Sequence, residues 1–425
     1  MNGCSRIMTL TTRSLISLLL TTFVFTQPVQ ADMVTDWNVV ATTAAAAPIK
    51  NGVVQTRIYA MVHAAVHDAL NAIDRRYYPY VLDILVDPEA SPEAAVATAA
   101  HAVLMHDLPY SQHAFLDAQY ATSLAGIPDG PAKLAGVAIG QAAAAVIIAV
   151  RITDGADAIA SYTPGSGPGE WIPTPPGFLP AFLPGWGEVT PFMLRSSAQF
   201  RLKPPAYFNL TSQAYTADYN EVKQIGEVNS PLRTAEQSAI AQFWYEPSAQ
   251  GWNRIARFVS AQRGLKLWDN ARLFALVNFA LADAYIAHSD TKYFYTFWRP
   301  VTAIRAGDTD GNPNTEADPA WTSFLVTPNF PDYPSGHSTA GAAAAIVLAH
   351  FFGNDQIPST STSGPPFPSI TRSFTSFSQA AQENADSRVF AGVHFRSACR
   401  DGVRLGRQVG HFVFTHALKA VKPVK

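Results

Sequence analysis

PSGHSTAGAAAAIVLAHFF, residues 334–352, opens on Pro334-Ser335-Gly336-His337 and runs into small and aliphatic residues. Ala, Leu and their like from Ser338 to Phe352 predict a helix. Ser335, Gly336 and His337 then lie at its N-terminus. Free backbone N–H groups and the positive end of the helix dipole favour an oxyanion there. Gly336 lets backbone approach a ligand closely. The Ser335 hydroxyl adds a donor, and His337 titrates near neutral pH, which suits general acid–base work. Taken alone, the tripeptide is equally an ordinary N-cap serine beside a bystander histidine.

The same composition recurs outward along the chain. Val53 to Asp74, Pro92 to Met105, Ala132 to Thr153, Thr234 to Tyr245 and Trp252 to Ser289 all read as helices, while alternating strand patterns are hard to find. Pro247 stops the fourth of these. Residues 161–187 are rich in Pro and Gly and must be extended and irregular, and 358–368 form a second, Pro/Ser-rich loop. The expected architecture is all-α: two packed helical halves, residues 32–229 and 230–425, with long Pro/Gly-rich loops wrapping between them.

Two further segments carry charge into apolar surroundings. Lys292 and Arg299 are seven residues apart, so a continuous helix places them within about 20° of one face, with Pro300 ending it. Two basic residues on a helix usually mark a solvated face. Here the interleaved Tyr293, Phe294, Phe297 and Trp298 argue for burial, and buried cations need an anionic partner. Arg388 offers a planar fork for an oxyanion, and His394 suits a nucleophile or metal ligand. Six residues rotate roughly 240° on a helix, so these two do not share a face unless Gly392 breaks it.

These three blocks resemble the superfamily that joins type 2 phosphatidic acid phosphatases, bacterial acid phosphatases and vanadium-dependent haloperoxidases. Its pattern is Lys, six residues, Arg-Pro; Pro-Ser-Gly-His; then Ser-Arg, five residues, His. It is met at Lys292 to Pro300, Pro334 to His337 and Ser387 to His394. Trp298-Arg299-Pro300, Tyr333-Pro334 and the loop from Trp171 to Pro176 look most like the bacterial haloperoxidase branch. The resemblance implies that Lys292, Arg299, Arg388, Ser335 and Gly336 bind vanadate or phosphate. It makes His394 the ligand to vanadium or the nucleophile to phosphorus, and His337 the acid–base group. Vanadate is the implied cofactor, phosphate an alternative occupant. Hydrogen peroxide and halide are the implied substrates, with a hypohalous acid equivalent as product. The alternative is an acid phosphatase cleaving phosphate esters through phosphohistidine, and a third reading is a non-catalytic oxyanion binder. Many members carry an Asp four residues after the final His; here Ala398 stands there, leaving Asp401 or a backbone carbonyl as its partner. Phe330, five before Ser335, resembles the chloride-oxidising type.

Bulk properties set the frame. The chain has 425 residues, 48% hydrophobic and 15% charged, with a net charge of −2, so nothing suggests attraction to nucleic acid. Arg6 and Arg13, the apolar stretch from Leu15 to Phe25 and Val29-Gln30-Ala31 read as a signal peptide, residues 1–31, of an exported, periplasmic or secreted protein. Cleavage there leaves Cys399 without a disulfide partner and no expected membrane span, since Leu134 to Val150 reads as a buried helix packed through small residues. A homo-oligomer is compatible with the sequence. His63 and His67 have metal-ligand spacing, but no Glu follows the first, so a packed or hydrogen-bonded pair is expected. The acidic run from Asp308 departs from a calcium loop at Pro313 and Pro319 and reads as a polar turn.

Overall fold

A computed structural model describes residues 32–48 and 51–421, together with Met1 and Gly3; the rest of residues 1–31, expected to be a signal peptide, lies outside the described residues. Five helices come first: α1 (Met33–Ala46), α2 (Gly52–Ile73), α3 (Pro92–Asp107), α4 (His113–Ala125) and α5 (Pro131–Arg151). After a long irregular stretch follow α6 (Gln213–Ile225), α7 (Ala235–Phe243), α8 (Ser248–Arg263), α9 (Leu267–Tyr295) and α10 (Pro300–Arg305). The last three are α11 (Gly336–Phe352), α12 (Phe377–Phe390) and α13 (Arg396–His416). The described strands are one antiparallel hairpin, β1 (Ser359–Thr362) with β2 (Thr371–Phe374), so the expected all-α class holds. β1 falls inside the stretch read as loop, because its Ser and Thr side chains pair across the hairpin, as Thr362 does with Thr371.

Local chemistry sets the starts. Asp32 and Thr35 form a capping box on α1, Ser91 caps α3 with Pro92 in its first turn, and Thr234 with Gln237 caps α7. The segment expected as one helix from Trp252 to Ser289 is two. Gly264 adopts a left-handed conformation (φ 62°) that terminates α8, and α9 starts three residues later.

α9 is the axle of the molecule. Apolar residues surround it on all sides, and it packs on both α2 and α11, burying Leu273, Phe274, Val277, Phe279 and Leu281 completely. One apolar cluster runs from α1, α2 and α3 through α9 to α11 and α13. α13 lies unusually close to α11. A Cβ at Gly402 would stand 2.7 Å from the Ser335 carbonyl, one at Gly410 2.5 Å from that of Ala343, and one at Gly406 would collide with that of Thr339. α5 was expected to be buried. It buries only the face of Gly136, Gly140, Ala143, Ala144 and Ile147, packed on α3, while Leu134 and Val150 stay exposed.

A second, aromatic cluster holds Tyr207, Tyr215, Phe297, Trp298, Trp321, Tyr333 and Phe395. It backs the segments singled out in the sequence. The irregular loop clamps them: Trp171 N–H donates to Thr296 O (2.8 Å) and Trp298 N–H to Gly169 O (2.9 Å), with Trp171 fully buried.

Candidate active site

Lys292 does not share a helix with Arg299. α9 ends at Tyr295, Thr296 turns left-handed (φ 52°), and Arg299 is the extended N-cap of α10. Pro300 therefore starts a helix instead of ending one. Its missing N–H costs nothing in the first turn, and it disfavours helical geometry in the residue before it. The two cations converge all the same, because both are tied to backbone carbonyls of residues 330–332. Lys292 Nζ donates to Pro331 O (2.7 Å) and Asp332 O (2.8 Å), and Arg299 Nε donates to Phe330 O (2.7 Å). Both charges lie over the Phe330 ring, 5.1 and 4.9 Å from its centre. Of the interleaved aromatics, Phe297 and Trp298 are buried as expected, but Phe294 is 59% exposed beneath the Arg201 guanidinium.

The helix break at Gly392 is present. α12 ends at Phe390, Gly392 has φ 76°, and a Cβ there would collide with the Gly226 carbonyl. Val393 N–H then donates to Arg388 O (3.1 Å), turning the chain so that His394 returns to the site. Arg299 Nη1 donates to Val393 O (2.6 Å) and stands 3.1 Å from His394 Nε2.

Ser335 is the N-cap of α11, and its hydroxyl oxygen accepts from Ser338 Oγ (2.8 Å), leaving its own hydrogen free to donate. His337, partly exposed, contacts the Glu246 carbonyl through Nε2 (3.1 Å). A carbonyl only accepts, so Nε2 carries the hydrogen and Nδ1 the lone pair.

Sequence reasoning missed Asp332. Its Oδ1 lies 2.7 Å from His394 Nδ1, and it is the carboxylate that orients this ring. Neither Asp401 nor a backbone carbonyl takes the role; Asp401 instead accepts from Tyr333 Oη (3.1 Å). Asp332 is fully buried and also accepts from Tyr207 Oη (3.2 Å).

The electrostatics follow from burial. Lys292, Arg299 and Arg388 are at most 1% exposed. Desolvation holds Lys292 well below the usual lysine range and pulls Arg299 down to about 10, with Arg299 and Arg388 respectively adding repulsion. Burial pushes the Asp332 carboxyl up to about 7, against the opposing pull of Arg299 and Lys292. Burial, then the charge of Arg299, holds His394 well below the imidazole range; burial and Arg388 do the same to His337. Arg299 Nη2 and Arg388 Nε and Nη1 are buried and have no partner among the described residues. Such orphaned donors signal a missing acceptor. With the His394 Nε2 lone pair beside them, they fit a tetrahedral oxyanion such as vanadate or phosphate.

His63 and His67 lie away from this cluster, in buried networks with Asn38, Asp68 and Asn71, as the hydrogen-bonded reading expects. The run from Asp308 is a turn in which Asp310 accepts from Asn312 N–H and Thr315 Oγ1.

The chain resembles known proteins in sequence and in fold. Residues 272–423, which contain the seven expected site residues, match the family model described as the VCPO second helical-bundle domain. The chain is 27% identical over 289 residues to vanadium chloroperoxidase of Curvularia inaequalis, covering 51% of this chain. That match takes in 46% of the relative, so the chain spans about half the length of this curated protein. Among solved structures, a bacterial vanadium-dependent iodoperoxidase superposes with a TM-score of 0.80 at 27% identity, covering 92% of this chain and 97% of that one. The holo form of a bacterial vanadium-dependent chloroperoxidase gives 0.71 at 18% identity, with 92% and 98% covered, which speaks to the fold alone.

Proposed function

We propose that this chain is a haloperoxidase-like enzyme of the superfamily that joins vanadium haloperoxidases and type 2 phosphatidic acid phosphatases, and that it oxidises a halide with hydrogen peroxide using vanadate held at the site just described. The observation that carries this is the set of orphaned guanidinium nitrogens on Arg299 and Arg388 beside the His394 ring.

Lys292, Arg299 and Arg388 would neutralise the non-bridging oxygens, with the Ser335 hydroxyl and the Gly336 N–H as further donors. Asp332 holds the hydrogen of His394 on Nδ1, which aims the Nε2 lone pair at the bound group. Vanadate, when bound, supplies a Lewis-acidic centre that polarises peroxide toward a halide without changing oxidation state. His337 Nδ1, which hydrogen-bonds to none of the described residues, would accept a proton from peroxide and return it on the partly exposed side of the site. Lys292, Arg299 and Arg388 would draw electron density from oxygens bound there and favour their electrophilic character.

The test is bromination of a dye by the purified mature protein with bromide and hydrogen peroxide, before and after adding orthovanadate. Turnover should appear only with vanadate and vanish in His394→Ala. The phosphatase reading has one observation in its favour: the Asp332–His394 pair is the carboxylate support that a nucleophilic histidine needs. Hydrolysis of p-nitrophenyl phosphate without bromination would transfer the protein to that chemistry. We also propose export with cleavage after Ala31, a reading supported by the capping box that opens the first helix at Asp32; N-terminal sequencing of the secreted or periplasmic protein tests it.

A further inference from the structure

We propose that His288 is a hydrogen-bond acceptor of the oxyanion site, and that it makes the site prefer a protonated oxyanion over an unprotonated one of equal charge and shape. The inference rests on the oxyanion reading above and extends it to a residue outside the three sequence blocks.

His288 lies on α9 one turn before Lys292, and it is 2% exposed. Its Nδ1 stands 2.6 Å from the Tyr285 carbonyl oxygen. That oxygen only accepts, so the ring hydrogen is on Nδ1 and Nε2 carries a lone pair. Nε2 makes no hydrogen bond with any described residue. It points at the start of α11: a Cβ placed on Gly336 would lie 2.8 Å from Nε2 and 3.0 Å from Cδ2 of the same ring. An unspent acceptor therefore stands beside the amide that the helix N-terminus offers to the anion.

Most of the groups around it are donors. Lys292, Arg299, Arg388, the Ser335 hydroxyl and the Gly336 N–H present only hydrogens. Facing a fully deprotonated oxygen, the His288 lone pair is repelled; facing an O–H, it is satisfied. Burial and the nearby charge of Lys292 keep His288 neutral, well below the imidazole range, so it does not become a donor itself. Hydrogen phosphate and hydrogen vanadate carry the needed O–H. Sulfate, with the same tetrahedral shape and the same charge as hydrogen phosphate, does not. His394 Nε2 and His337 Nδ1 are the other lone pairs in the site, and the proposal assigns the O–H nearest Gly336 to His288.

The experiment is calorimetric titration of the purified protein with inorganic phosphate and with sulfate, at mildly alkaline pH where both are dianions. The wild-type protein should bind phosphate in preference to sulfate. His288→Leu should lose roughly tenfold of that preference, the cost of leaving a buried O–H unpaired. Its effect on sulfate should be small. His288→Gln, whose side-chain carbonyl can accept, should restore the preference. Should the leucine protein not fold, His288→Met fills a similar volume without a strong acceptor. Equal weakening of both anions would reduce His288 to a packing residue and overturn the proposal, as would an unchanged ratio. A wild-type protein that binds neither anion would overturn the oxyanion reading as well.

Discussion

Asp332 holds the His394 ring by one hydrogen bond, and that bond decides which nitrogen faces the ligand. Replacing the carboxylate with an amide keeps the volume but removes the acceptor charge. Asp332→Asn should weaken phosphate or vanadate binding by about 10- to 100-fold, as loss of such supporting partners typically does. Calorimetry measures it, with the thermal midpoint as a check on folding. At this scale the sequence was informative where residue type and spacing coincide. Lys292, Arg299, Ser335, Gly336, His337, Arg388 and His394 all stand in a pattern that can be read from the chain. Asp332 stood in plain view three residues before Ser335, but a carboxylate on a loop has no period to betray its direction. His288 was hidden for another reason: on a helix buried all round, no face stands out.

Elements bring these residues together through breaks, and the breaks are where reading by periodicity fails. Assuming a continuous helix gave the right neighbours for Lys292 and Arg299 by the wrong route. The chain unwinds at Thr296, and backbone carbonyls of residues 330–332 gather both side chains. Gly264 likewise splits one apolar stretch into two helices, because the composition on either side is the same and only the glycine differs. Gly392 was legible because the spacing of Arg388 and His394 demanded a break. Gly392→Ala should therefore do two things at once. It forces a side chain into a positive-φ position against the Gly226 carbonyl, which should cost about 1–3 kcal/mol in a denaturant titration. It also swings His394 away from Arg388, so phosphate affinity should fall by more than the stability loss explains.

The whole molecule carries ionisable groups in places where water does not reach, and its response to acid follows. His63 sits in a network with Asn38 and Asn253, where burial, helped by Arg257, pushes it down to about 3. Its unfolded value is near 6.5. The stability it contributes is complete above that value and is lost as pH falls through the interval to about 3. One proton contributes a slope of about 1.4 kcal/mol per pH unit there. His63→Gln should flatten the acid limb of a urea-midpoint-against-pH curve by that amount, whatever its effect at neutral pH. Asp283 and Asp332, both raised by burial, act in the opposite sense, so the comparison with the variant isolates His63. At this scale helices and loops were readily legible. It could not show that α9, from the second expected half, packs against α2 of the first, since pairing between distant helices leaves no local mark.

The bare guanidinium nitrogens of Arg299 and Arg388 have a consequence for how long the molecule lasts. A core that closes around uncompensated charge is finished by a solute, not by the chain. Any anion that fits adds to the folding free energy by mass action, about 2.7 kcal/mol at a hundredfold excess over its dissociation constant. Phosphate is such an anion, and where it is plentiful it would preserve the protein while occupying the place proposed for vanadate. Longevity and the proposed turnover would then draw on the same side chains, and the ratio of the two anions in the surroundings would set the balance between a durable idle protein and a working, more perishable one.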